Sequence, residues 1–133
     1  MNATETATGV ALVTGAARRI GRDVALALAG AGWDVVVHYR SAADEAADVV
    51  AEIEGRGRRA AAIGADLSVE AETETLMARA GAALGPVSCL INNASTFESD
   101  TVATSTRATW DTHMEVNLRA PFVLAQAFQA QLP

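Results

Sequence analysis

The residues most able to do chemistry in this chain cluster at turns. Gly15 and Gly21 bracket Ala16-Ala17-Arg18-Arg19-Ile20, after the apolar run Val10 to Thr14 and at the start of a helical pattern. A glycine there lets backbone approach an anion closely. A helix start adds unpaired N–H groups at the positive end of its dipole, so the segment suits a pyrophosphate. Arg40 and Ser41 follow a second apolar run, nineteen residues after Gly21. A dinucleotide site for NAD usually places an acid here, to accept from the ribose hydroxyls. None is available: Asp34 stands at the wrong end of the run and Asp44 a helical turn further on. Arg40 offers a planar, permanently charged fork, and Ser41 a hydroxyl and a helix-start N–H, which together suit a phosphate. The expectation is NADP(H), with Arg40 as the main 2′-phosphate contact. The competing reading is a solvent-exposed arginine after a strand.

The elements that must position these residues alternate. Strands are expected over Val10–Thr14, Trp33–Tyr39, Arg59–Gly64 and Val87–Asn92, from short β-branched or apolar runs bounded by glycine and polar residues. Helices are expected between them. Arg19–Ala31 carries Ile20, Val24, Ala27, Leu28 and Ala31 on its apolar face and ends at Gly30 and Gly32. Ala42–Glu54 is capped by Ser41, with Asp44 and Glu45 in its first turn. Val69–Leu84 stops at Gly85-Pro86. Ser95 to Ser105 is irregular, and Thr106–Gln131 reads as one long helix with Pro121 as a bend. Strands alternating with helices give a doubly wound parallel α/β sheet of the Rossmann kind. Two mononucleotide halves need about six strands. With four, residues 1–133 read as a partial domain that stops after the fourth strand and its helix, behind a polar tail over about 1–8.

The glycine turn resembles the T-G-x-x-x-G-x-G turn of the short-chain dehydrogenase/reductase family, with Arg19 in place of the middle glycine. Asn92-Asn93-Ala94-Ser95 resembles that family's N-N-A-G, with Ser for Gly. The resemblance implies that Asp66, with Leu67 beside it, meets adenine. It implies that Asn93, Ala94 and Ser95 line the cofactor floor, and that Gly15, Arg18, Arg19, Ile20 and Gly21 surround the phosphates. Asn117 matches the helix asparagine of the catalytic tetrad. Thr14-Gly15-Ala16-Ala17-Arg18-Arg19-Ile20-Gly21, His38-Tyr39-Arg40-Ser41 and Asn93-Ala94-Ser95-Thr96-Phe97 together are similar to the pteridine reductase branch. That likeness implies Phe97 against a flat pterin; the alternative is a loop residue that folds onto the core. Other branches carry Arg-Arg here too, so a ketoacyl, sugar or steroid-like carbonyl substrate stays open.

Hydride transfer to C=O or C=N needs a proton donor beside the accepting atom. The family uses a serine and a Y-x-x-x-K motif for this, and of the tetrad only Asn117 can be assigned here. The chain has one tyrosine, Tyr39, and all ten of its basic residues are arginine. The resemblance implies that the missing groups follow Pro133 and that the chain alone is inactive. It also implies a homo-oligomer, dimer or tetramer, of the complete enzyme. A non-catalytic nucleotide-binding module is the alternative of a different class.

The composition, 50% hydrophobic with a net charge of −6, fits a globular domain that repels nucleic acid as a whole. Arg56, Arg58 and Arg59 read as a solvated turn. No apolar run reaches membrane-span length and no signal peptide is evident, so a cytoplasmic setting is expected, while the family resemblance implies a small-molecule partner. The single cysteine, Cys89, reads as a buried strand thiol. His38 reads as structural, His113 as lying on an exposed helix face, and Trp110 as packing at a helix start. No metal site is expected.

Overall fold

The structure, a computed structural model, describes residues 8–133, so all of the expected polar tail except Thr8 lies outside the described residues. Four strands form: β1 (Val10–Val13), β2 (Asp34–Tyr39), β3 (Ala60–Gly64) and β4 (Val87–Ile91). They lie side by side in the order β3-β2-β1-β4, every pair parallel. Between and after them run α1 (Arg19–Gly30), α2 (Ala43–Gly55), α3 (Glu70–Leu84), α4 (Arg107–Met114) and α5 (Ala120–Gln131). The sheet order turns back on itself at β1. The chain walks from β1 out to β3, then returns to place β4 on the other side. In such sheets a ligand crevice opens at the carboxyl ends of the strands flanking the reversal, here β1 and β4.

Each face of the sheet carries its own core, because alternate strand residues point to opposite sides. Val13, Val35 and Val37 pack with Ala25 and Leu26 of α1 and Val49 and Ile53 of α2. Leu12, Val36 and Val87 pack with Leu76 and Met77 of α3 and Leu124 of α5. β1 is buried on both sides, as its unbroken apolar run predicts, and β2 is buried from Asp34 to His38 although it carries those two polar residues.

Several expectations are corrected. The buried face of α1 is Gly21, Ala25, Leu26 and Ala29, with the expected Val24 and Leu28 half-buried against the same core, while Ile20 is 71% exposed and Ala27 and Ala31 face solvent. The small residues set the helix close to the sheet at its start, and Ile20 turns outward. Ser41 does not cap α2. Ala42 holds the cap position without a side-chain hydrogen bond, and the Ser41 carbonyl accepts from the Ala43 N–H (3.0 Å). Arg56, Arg58 and Arg59 are not simply solvated. Asp34, buried at the start of β2, accepts from the Arg59 backbone and guanidinium at 3.0 Å each and pairs with Arg58 at 2.9 Å. Arg59 also reaches the Leu84 carbonyl (2.9 Å), and Arg56 that of Leu26 (3.2 Å). Burial opposes the charge of Asp34. The Arg59 hydrogen bonds and the charges of Arg58 and Arg59 outweigh that, holding its carboxyl below the usual range. Cys89 is half-buried rather than buried, because β4 pairs with β1 alone among the described strands.

The long helix expected over Thr106–Gln131 is broken in a specific way. Thr106 starts it with a reciprocal capping box to Thr109. After α4, residues Glu115–Arg119 form a wide π-helical turn before α5. Pro121 accounts for this: it has no N–H to give the Asn117 carbonyl four residues back, and its ring crowds that carbonyl. The expected bend is a widened turn, and it places Asn117.

Candidate functional site

The two segments that flank the crevice at the ends of β1 and β4 are tied to each other by Thr14 and Asn93. The Thr14 hydroxyl accepts from the backbone N–H of Asn93 (3.0 Å) and of Ala94 (2.9 Å). In return the Asn93 side-chain amide donates to the Thr14 carbonyl (3.0 Å) and the Gly15 carbonyl (3.2 Å). Gly15 lies in the left-handed region, with φ 62°. A Cβ on it would stand 3.1 Å from Ala94 Cα. A Cβ on Gly21 would run into the Gly15 carbonyl oxygen and come within 2.5 Å of Asn93 Nδ2. Both glycines are therefore needed for close approach. Arg19 also has positive φ, 53°, a strained pose for a residue with a side chain. No side chain caps the start of α1, leaving its first N–H groups to an outside acceptor.

His38 braces this turn from beneath. Its Nδ1 accepts from the Gly15 N–H (3.0 Å), and its carbonyl from the Ala16 N–H (2.9 Å). Its Nε2 lies 2.8 Å from the Ala65 carbonyl, where β3 ends. Both contacts are met only by the neutral ring with its proton on Nε2. Burial pushes the imidazole below its ordinary value, overriding the Ala65 hydrogen bond. His38 is structural, as expected, but it ties the glycine turn to the next loop.

That loop carries Asp66, whose Oδ1 accepts from the Ser68 N–H (2.9 Å) and hydroxyl (2.7 Å). These bonds, ahead of the weaker pull of Arg40, hold the Asp66 carboxyl below the usual range. Arg40 is largely exposed, its Nε 3.8 Å from Asp66. Leu67 is buried beneath. Arg40, Asp66 and Leu67 form one wall of a hollow, and Ala94, Ser95 and Val116 form the other. A second hollow, continuous with it through His38 and Arg40, runs over Gly15, Arg18, Arg19, Ile20 and Gly21. Arg18 leans away to α2, where Glu45 binds its guanidinium through both carboxylate oxygens. Ser41 is exposed beside Arg40. Eleven of the fourteen expected site residues thus line one trough, while Ser41, next to Arg40 in the chain, is not among its lining.

The other two lie beyond its β4 end. Asn117 reaches back to the loop after β4, accepting from the Thr96 N–H (2.8 Å) and donating to the Thr96 carbonyl (2.9 Å). Phe97 is 85% exposed, so it does not fold onto the core. Its ring stands edge-on to His113, centroids 6.5 Å apart. His113 is not on an exposed face: it is half-buried and bonded through both ring nitrogens. Trp110 is 56% exposed, so it does not pack at the helix start. Sequence reasoning missed Thr14, Ser68 and Thr96. Thr14 is hidden because its hydroxyl acts on residues some eighty positions away. Ser68 was findable, since Asp-x-Ser is a local turn signal.

The arrangement can hold a dinucleotide. An uncapped helix start and two glycines offer a turn suited to phosphates, and the largely exposed Arg40 guanidinium, 3.8 Å from Asp66, stands past the carboxyl end of β2. Tyr39 packs its ring against Gly64 of β3. Among the described residues no helix is long and apolar enough to cross a membrane, and no cluster of three metal-ligating side chains forms.

Residues 9–133 match the family model for short chain dehydrogenases. The chain belongs to the short-chain dehydrogenase family. Among curated short-chain dehydrogenases it is 34% identical to a 3-oxoacyl-(acyl-carrier-protein) reductase of Staphylococcus epidermidis, over 92% of this chain and 50% of that protein. Among solved ones, the alternative dihydrofolate reductase FolM of Brucella canis, complexed with NADP, superposes with a TM-score of 0.90 at 36% identity, covering 96% of this chain and 51% of that one. A blue fluorescent protein from a metagenomic library, in complex with NADPH, gives 0.90 at 40% identity, covering 95% and 52%. The chain spans about half the length of the curated relatives it matches.

Proposed function

We propose that this chain is the cofactor-binding half of an NADP(H)-dependent reductase that acts on a small molecule with a C=O or C=N bond. The observation that carries the reading is Arg40. It is exposed at the carboxyl end of β2, and Asp34, the acid of that strand, is locked to Arg58 and Arg59 at the other end. When bound, NADPH supplies the hydride. Around it, Arg40 and Ser41 grip the 2′-phosphate, and Asp66 and Leu67 bound the adenine. The turn from Gly15 to Gly21, with Arg18 and Arg19, takes the pyrophosphate. Arg18 can swing from Glu45 at small cost, since water screens an exposed ion pair. Asn93, Ala94 and Ser95 line the floor toward the nicotinamide.

In the whole protein the proton comes from residues beyond these 133, because Tyr39 is packed against β3 and lysine is absent. Asn117 orients the β4–α4 loop toward that reaction centre. The finer reading is a pterin substrate, with Phe97 as the surface against which a flat ring stacks. Its support is the Arg18-Arg19 turn, the outward pose of Phe97, and the likeness to FolM. A ketoacyl substrate is the second reading, favoured by the likeness to the staphylococcal reductase. The homo-oligomer expected of the whole enzyme belongs to the same proposal.

Titration with NADPH and NADH, followed by nucleotide fluorescence, tests the assignment. NADPH binds more tightly than NADH. Arg40→Ala weakens NADPH about tenfold or more, which is 1.4 kcal/mol or more, and leaves NADH within about twofold. Equal affinities, untouched by the substitution, would refute it.

A further inference from the structure

We propose that His113 is a positioning residue that sets the substrate wall, by holding the Glu98 amide and with it the pose of Phe97. The proposal rests on the reductase reading above, in which Phe97 meets the substrate.

The loop between β4 and α4 is polar and irregular, and such segments are mobile unless tied down. Two side chains one helical turn apart tie it. Asn117 holds Thr96 through both its N–H and its carbonyl. His113 Nε2 accepts from the Glu98 N–H at 3.0 Å. Phe97 sits between these two fixed peptides, so its Cα–Cβ direction is fixed as well. The ring of His113 adds an edge-on contact to Phe97, with planes at 76°.

The acceptor state of His113 is itself set. Its Nδ1 lies 2.7 Å from the Thr109 carbonyl, which can only accept, so the proton is on Nδ1 and Nε2 is free for Glu98. Thr109 is held in turn: it closes the capping box with Thr106, and its hydroxyl donates to Asp100 Oδ2 at 2.7 Å. Asp100 belongs to the same loop. The loop, the cap of α4 and His113 thus form one closed hydrogen-bonded circuit, whose product is an aromatic ring held out in solvent. That circuit does little for the core, since Phe97 buries almost nothing in it. It does suit a surface prepared for a flat ligand, whose stacking is strongest on a ring that need not be ordered on binding.

Two substitutions in the full-length protein separate the parts. His113→Gln keeps an acceptor for Glu98 and loses the ring. His113→Phe keeps a ring and loses the acceptor. The readouts are hydrogen exchange at the Glu98 amide, the Kd for NADPH, and kcat and KM for 7,8-dihydrofolate as the pterin probe and an acetoacetyl thioester as the other. His113→Phe speeds Glu98 exchange about tenfold and raises KM for dihydrofolate about tenfold, with kcat within about twofold, as expected of a group that acts on binding alone. His113→Gln restores exchange and KM to within about threefold of wild type. NADPH affinity stays unchanged in both. An unchanged KM in His113→Phe, or losses in NADPH affinity that match those in KM, would overturn the proposal. Failure of the underlying reading looks different: wild type turns over neither probe with NADPH, and the substrate role of His113 then falls too.

Discussion

Single side chains in this molecule act across long stretches of sequence. His38 shows this best, because its neutral ring serves both the glycine turn and the end of β3. The unfolded chain takes up a proton on this residue as pH falls through about 6.5, while the folded chain resists until lower pH. The stability held by neutral His38 is therefore complete above about pH 6.5 and drains as pH falls from there, by at most about 1.4 kcal/mol per pH unit. His38→Asn keeps an acceptor for Gly15 but cannot titrate. Urea midpoints between pH 5 and 8 should show a lower plateau for this variant and a flatter acid limb. An acid limb as steep as that of wild type would place the proton elsewhere. Gly15, Gly21 and Arg40 were legible at this scale because their chemistry is local: a turn, a close approach, a charge at a strand end. The roles of Thr14 and His38 were not, since a threonine or histidine in a strand looks the same whether or not its partner waits in a distant segment.

At the scale of elements, the alternation of strands and helices was readable almost to the residue, because each run was long enough for its period to show. The inner face of α1 was not. Ile20 is the largest apolar residue of that helix start, yet close packing selected Gly21 and Ala25. Size and hydrophobicity predict burial only where there is room. Pro121 announced a break but not its form. The wide turn over Glu115–Arg119 is what lets Asn117 face Thr96. Asn117→Ala removes both bonds. Because water can reach Thr96, the expected cost is modest, about 1 kcal/mol in urea unfolding, with faster exchange at the Thr96 amide. No change in that exchange would mean that the loop holds itself.

At the scale of the whole molecule, one face stands out. Trp110, Met114, Leu118 and Phe122, four residues apart along α4, the π turn and α5, are 56%, 39%, 66% and 63% exposed. Apolar surface laid out in one stripe marks association, and each such side chain gains about 1.5–3 kcal/mol on full burial. Sedimentation should show concentration-dependent self-association that Leu118→Asp with Phe122→Asp abolishes. The double variant should melt at a temperature close to that of the parent's monomer, because neither residue belongs to the core. A parent that stays monomeric at high concentration would count against the stripe. The bonds from Thr14 to Asn93 and Ala94 also set an order of events. They span seventy-nine and eighty positions, so neither rim of the trough can mature until β4 has docked beside β1. Loop closure over such spans is slow and comes late. The chain therefore stays blind to nucleotide until β4 is in place, and capture of the first dinucleotide marks the moment at which that strand joins β1.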